Sequence, residues 1–334
     1  MTDLQDAKSL VQAHYAALEG ADSETVTQIL SERMTADATW RGVHPWNEQV
    51  GPAGAAVFWK LFLSAFAHVQ RREDIFFAGR NEIDNEASVW TTSMGHLMGL
   101  FDAPFLGIPA TRKLAMLRYA EFNRVENGKI VETALFCDVL HLMTQAGLNR
   151  FPQQTAVHMI QPGPRTHDGL LMGENDSAEG AKTLALIDRM IFAISAANDD
   201  PSARTPREEL KENWHDDMIW WGPDGVGATY TIDRYIEQHQ GPFRKNITDR
   251  VFNGHVCRMA EGTYGGFFGW PNLTLTNAGA YMGIKGDPNV RADMRVVDIY
   301  RRDGEKLAEN WIFIDVLHFL KMQGVDVLEE LATR

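Results

Sequence analysis

Between residues 8 and 18 the apolar side chains Val11, Tyr15 and Leu18 recur on one helical face, and between residues 184 and 194 Ile187, Met190, Ile191 and Ile194 do the same. A second helix is predicted over residues 23–34, answered by a more polar one over 206–214. Asp37-Ala38-Thr39-Trp40 and Asp217-Met218-Ile219-Trp220 read as short strands ending in Gly/Pro loops. A third helix follows at 53–66, rich in Phe58, Trp59, Phe62 and Phe66, with its partner at 232–239. The remainder of each run is strand-like and closes in a hairpin at Asn127-Gly128 or Asp303-Gly304, followed by a short helix. Three helices and then a curled antiparallel meander make each run an α+β unit.

The order of elements repeats because the sequence repeats. Phe136-Cys137-Asp138-Val139-Leu140-His141 returns 177 positions later as Phe313-Ile314-Asp315-Val316-Leu317-His318, and six of the twelve positions from Phe136 to Gly147 are identical. The same offset pairs Arg118 with Arg295, Glu121 with Asp298 and Glu132 with Glu309, while Trp40-Arg41-Gly42 answers Trp220-Trp221-Gly222. An internal duplication is the simplest account. It predicts one domain over residues 1–150, a second over 181–334, and a linker over 151–180 that holds Pro152, Pro162, Gly163, Pro164, Gly169 and Gly173. Met159-Ile160 and Leu170-Leu171-Met172 imply that this linker packs on something.

Composition narrows the function classes. With 334 residues, 44% apolar and 23% charged, the chain is an ordinary globular one of two-domain length. Its 32 Lys+Arg against 45 Asp+Glu give a net charge of −13, which argues against nucleic acid or an anionic membrane as partner. Cys137 and Cys257 are too few for a disulfide framework or a Cys-rich zinc site, so reduced thiols and a cytoplasmic location are expected. The start Met1-Thr2-Asp3-Leu4 lacks a signal-peptide pattern, and no apolar run approaches the ~18 residues of a membrane span. No His-Glu-x-x-His, glycine-rich nucleotide loop or Gly-x-Ser-x-Gly occurs, so neither metal nor cofactor is expected.

Gly95-His96-Leu97-Met98-Gly99, the run Pro104-Phe105-Leu106-Gly107-Ile108-Pro109-Ala110-Thr111, Asn127-Gly128-Lys129-Ile130-Val131-Glu132, and Asp138 ahead of residues 142–147 together resemble the SnoaL-like polyketide cyclases. That family shares a cone-shaped fold with nuclear transport factor 2 and ketosteroid isomerase. The second unit is similar through Gly279-Ala280-Tyr281-Met282-Gly283-Ile284 and residues 303–324, but lacks the Pro-x-Thr turn and the His, with Thr276-Asn277 near the His position. The resemblance implies two tandem cones, each a curved sheet closed by helices around an apolar pocket. Since members usually dimerise through the outer sheet face, the two units are expected to pair as an internal pseudo-dimer, with further dimerisation open.

On this resemblance Asp138 and Asp315 are the leading acid/base candidates, because the family's Asp at the end of the last strand serves an aldol ring closure. A carboxylate in an apolar cavity has its pKa raised toward the working range. Strand alternation puts Phe136 beside Asp138, and Phe313 and Trp311 beside Asp315. Each Asp also directly precedes a short helix, where it would serve equally as an N-cap. His96 is a candidate donor to an enolate, or a structural strand His. Arg118 and Arg295 could clamp a substrate carboxylate, or pair with Glu121, Glu132, Asp298 and Glu309. Trp40 and Trp220 are candidate pocket walls, as are Phe136 and Trp311, and Tyr15 is placed like the oxyanion-donating Tyr of ketosteroid isomerases. The expected function is cofactor-free acid/base chemistry, a cyclisation or isomerisation, on a hydrophobic carbonyl compound. The alternative is a non-catalytic small-molecule binding protein.

Overall fold

The computed structural model describes residues 3–148, 151, 155–199 and 204–333, so Met1, Thr2 and Pro152 lie outside the described residues. By internal packing the chain divides into two units: unit 1 is Met1–Arg150, Arg165–Gly173 and Asp315–Arg334, and unit 2 is Phe151–Pro164 and Glu174–Ile314.

Unit 1 begins with α1 (Asp3–Glu19) and α2 (Val26–Arg33), then β1 (Met34–Gly42), β2 (Asn47–Val50) and α3 (Gly51–Ala65). The long strands β3 (Phe66–Arg80), β4 (Val89–Phe101), β5 (Leu114–Glu126) and β6 (Lys129–Cys137) follow, and α4 (Val139–Gln145) ends the repeat. The sheet order is β2-β1-β6-β5-β4-β3. The meander is antiparallel as expected, but β1 joins it parallel to β6, which the sequence pattern did not reveal. Asn127 and Gly128 both take positive φ, 49° and 70°, as a tight two-residue hairpin requires. The aromatic side of α3 builds one end of the core: Phe58 stacks on Phe62 at 5.8 Å, Phe62 on Phe66 at 4.6 Å, and Phe66 on Phe101 at 4.7 Å.

Unit 2 repeats this order with α5 (Ser177–Asp199), α6 (Pro206–Asn213), β7 (Trp214–Trp221), β8 (Ala228–Tyr230) and α7 (Ile232–Tyr235). A wide helical turn, Ile236–Gln240, leads into α8 (Gly241–Asn246). Strands β9 (Ile247–Phe252), β10 (Cys257–Glu261), β11 (Tyr264–Asn277), β12 (Arg291–Asp303) and β13 (Lys306–Ile314) complete a seven-stranded sheet. Both β9 and β10 pair with β11, so the edge that is one continuous strand in unit 1 is broken in unit 2 at residues 253–256. The helix after the repeated Asp is α9 (Val316–Met322), followed by α10 (Val327–Ala332); this last stretch groups with unit 1.

The segment between the repeats is tied down by its backbone rather than by its apolar side chains. Phe76 N–H donates to Gly169 O at 2.8 Å and Leu171 N–H to Phe76 O at 2.8 Å, while Lys8 Nζ donates to Gly173 O at 2.7 Å. Val157 pairs with Ala228 in the same way on unit 2, and Met159, Ile160, Leu170 and Met172 stay exposed.

Candidate functional site

In unit 1 the sheet face that meets the helices is defined by side-chain bonds to α1. Asn123 Nδ2 donates to Tyr15 Oη at 3.0 Å, and Gln12 Nε2 donates to Glu73 at 3.0 Å. Strand alternation then sends Ser93, Tyr119, Glu121 and Asn123 into the cone. That interior is already occupied. Arg71 lies there with its guanidinium 3.6 Å from the Tyr15 ring centre and 4.5 Å from that of Tyr119, and its Nη1 donates to Glu121 at 2.8 Å. Ser93 bonds both Glu73, at 2.8 Å, and Tyr119 Oη, at 2.7 Å. Burial opposes the charge on Arg71, but its neighbours, Glu121 foremost and with Tyr119, Tyr15 and Glu73, together more than offset this and hold its pKa well above the usual range. Tyr15 is therefore inside the cone, but packed against a cation rather than facing open space. Trp40 also points inward and packs toward α3, 6.2 Å from Phe58.

Asp138, His96, Arg118 and Phe136 share the other side of the sheet. His96 stands opposite Arg118 in the β4–β5 register, three residues from inward-facing Ser93, and Phe136 alternates with inward-facing Leu135 and Thr133. All four are buried. The Asp138 carboxylate caps α4 through His141 N–H at 3.0 Å, and its own N–H donates to Arg118 O. Burial lowers the Arg118 pKa to about 9, with the Asp138 charge pulling it back up. Glu121 points to the other face and is taken by Arg71, while Glu132 bonds Arg41, so neither is the partner of Arg118 that the sequence suggested. His96 Nδ1 lies 3.7 Å from Asp74.

Asp315 follows the same pattern. One carboxylate oxygen accepts from His318 N–H at 3.2 Å to cap α9, and the other accepts from His44 N–H at 2.9 Å. Trp311 donates its indole N–H to Pro162 O at 3.1 Å, and Arg295 lies over the Trp270 ring at 4.0 Å. The register that sets Gly95 against Tyr119 sets Gly269 against Val296, so the counterpart of His96 is Trp270, not Thr276-Asn277. Glu309, expected as a partner of Arg295, is held by Arg301 at 2.5 Å.

The cone of unit 2 is open. A cavity of about 220 Å³ is walled by Met190, Leu210, Trp214, Phe243, Met294 and Ile312 among others, and one carboxylate, Asp298, lines it. On β12 the residues Val296, Asp298 and Tyr300 face the cavity, joined by Asn310, Ile312 and Ile314 of β13. Asn310 Nδ2 donates to Asp298 Oδ1 at 3.0 Å, and the Tyr300 hydroxyl supplies a second bond. Among the described residues no Lys or Arg bonds this carboxylate. Burial drives its pKa up to about 7, against the lowering effect of those two hydrogen bonds. Trp220, expected as a pocket wall, does line the cavity, and His239 stacks on it at 3.9 Å. Burial lowers the His239 pKa to about 3, so the imidazole is neutral, and its buried Nδ1 has no hydrogen-bond partner among the described residues.

The two cones differ because the edge strand differs. Arg71 reaches the interior of unit 1 from continuous β3, opposite Leu97 of β4. In unit 2 the corresponding stretch lies in the break between β9 and β10, and no arginine replaces it beside Asp298. Asp298, Tyr300, Asn310 and His239 were missed as site residues at the sequence level. The available signal was that Glu121 and Asp298 are matched acids on a strand buried on both faces.

A carboxyl with a folded pKa near 7, against ~3.9 unfolded, lets the native state keep a proton the unfolded chain has lost. Stability conferred by this group is therefore greatest below about pH 4 and declines as pH rises to about 7, by on the order of 4 kcal/mol. Asp298→Asn is expected to exceed the wild type in stability at about pH 8 by a few kcal/mol, with the gap closing near pH 4. Urea unfolding of both proteins at the two pH values checks this; a gap independent of pH contradicts it.

The family model of SnoaL-like polyketide cyclase matches residues 8–146. No curated protein matches the chain. Among solved structures, a candidate SnoaL-like polyketide cyclase from Jannaschia sp. CCS1 is 18% identical and aligns over 46% of this chain and 98% of its own, with a TM-score of 0.34. An NTF2-like protein from Burkholderia xenovorans LB400 is 11% identical over 43% of this chain and 97% of its own, TM-score 0.34. A candidate polyketide cyclase from Xanthomonas campestris pv. campestris is 19% identical over 43% and 99%, TM-score 0.34. No described helix is long and apolar enough to cross a membrane. Through residues 8–146, the first unit is thus similar to the SnoaL-like polyketide cyclases.

Proposed function

We propose that unit 2 carries a cofactor-free acid/base site that removes a proton beside a carbonyl group, the step common to aldol cyclisation and double-bond isomerisation. One observation carries the reading: Asp298 is a buried carboxylate in a mainly apolar cavity, bonded by neutral donors. A base poised near neutrality both exists in its ionised form at working pH and holds a proton well enough to take one from carbon. Tyr235 and neutral His239 line the same cavity, and burial raises the Tyr235 pKa, so its hydroxyl stays protonated and can donate to a developing enolate oxygen. Ketosteroid isomerase likewise relies on a carboxyl base and donors to the enolate oxygen, set apart by environment. Asp138 and Asp315 act as helix caps in this account, and the Arg71 cluster makes the first cone a structural one.

The test is exchange of methyl hydrogens for deuterium in acetophenone and 4-acetylbenzoate, a neutral and a charged aryl ketone, followed by NMR. The expected result is protein-catalysed exchange that falls as pH drops through about 7, because protonation removes the base. Binding of both ketones without exchange at any pH would instead favour the non-catalytic binding protein.

A further inference from the structure

We propose that the ligand of the unit 2 cavity is a small apolar keto acid whose carboxylate is received by Arg250. The proposal rests on the catalytic reading for the ketone but on separate residues for the acid. Two guanidinium groups reach the cavity, Arg244 and Arg250. Arg244 is committed: its Nη2 donates to both oxygens of buried Glu209 at 2.9 Å. Arg250, on β9, makes no hydrogen bond or ion pair among the described residues, although it is partly buried where its strand neighbours Asp249 and Val251 are exposed. Burial and the adjacent Arg244 charge disfavour its cationic form, and the charge of Glu209, already bonded by Arg244, offsets them only in part. A guanidinium presents a planar fork of donors that matches a carboxylate, and a partly desolvated one that bonds no carboxylate can still receive one from a ligand.

The remaining polar groups agree with a ligand that bonds as well as packs. Buried Asn272 Oδ1 and Gln240 Oε1 line the cavity without hydrogen-bond partners among the described residues, as does His239 Nδ1. The cavity, at about 220 Å³, falls below the ~300–1,000 Å³ of drug-sized pockets. That limits the ligand to one or two rings rather than a fused polycycle.

The experiment titrates 4-acetylbenzoate and its neutral amide, 4-acetylbenzamide, into the full chain by calorimetry. The expected result is that the acid binds at least about tenfold more tightly than the amide. Arg250→Gln is expected to erase that preference while leaving amide affinity within about threefold, and Arg250→Lys to retain part of it. Asp298→Asn is expected to keep the preference, and wild-type protein that shows the preference but catalyses no exchange condemns only the base assignment. Equal affinity for acid and amide, no binding of either, or a preference that survives Arg250→Gln in a folded protein overturns the proposal.

Discussion

Asp298→Asn is expected to reduce catalysed α-hydrogen exchange by about 10²–10⁴-fold, the usual worth of a positioned general base. The change keeps the size of the side chain and keeps an oxygen to accept from Asn310 Nδ2, so the cavity wall is preserved. What disappears is the ability to take a proton. Circular dichroism and binding of 4-acetylbenzoate serve as fold controls, and a rate within about twofold of wild type in a folded variant would remove Asp298 from the mechanism.

Arg71→Ala is expected to destabilise unit 1 by about 3–5 kcal/mol, because it strands the buried carboxylate of Glu121. Arg71 and Glu121 side chains are each only 3% exposed, which leaves water little access to solvate the survivor. Glu73 shares the loss through its link to Ser93 and Tyr119. The double substitution Arg71→Met with Glu121→Gln is expected to recover a large part of that stability, since apolar or neutral replacements of a whole pair cost far less than removing one partner. Urea unfolding of the single and double variants checks both statements. A single variant within about 1 kcal/mol of wild type would mean that Arg71 does not hold the cone together.

The contrast between Arg71 and Asp298 explains what the amino-acid sequence disclosed and what it hid. The duplication, the order of helices and strands and the Asn127-Gly128 hairpin were all legible, because each rests on local pattern. So was the capping chemistry of Asp138 and Asp315, which requires only an Asp immediately before a helix. The face of each strand was not legible. β4 and β5 are buried almost throughout on both sides, so alternation orders the residues without saying which set meets the helices. In the fold, Asp138, His96 and Arg118 lie on one side of the sheet, opposite Tyr15. The break between β9 and β10 was hidden for another reason: edge residues such as Asn253 and Gly254 are equally compatible with a bulge, a turn or a strand end. Only the folded sheet shows that this break leaves Asp298 without the bonded cation that Arg71 gives Glu121.

The most direct measurement is deuterium exchange into 4-acetylbenzoate by Asp298→Asn and Asp138→Asn, measured side by side with the wild type at about pH 8, where the base is ionised. Asn is also an effective N-cap, so Asp138→Asn leaves the α4 terminus intact. The account predicts that Asp298→Asn loses exchange and Asp138→Asn keeps it. Loss in Asp138→Asn with retention in Asp298→Asn would contradict it and move the chemistry to the first unit.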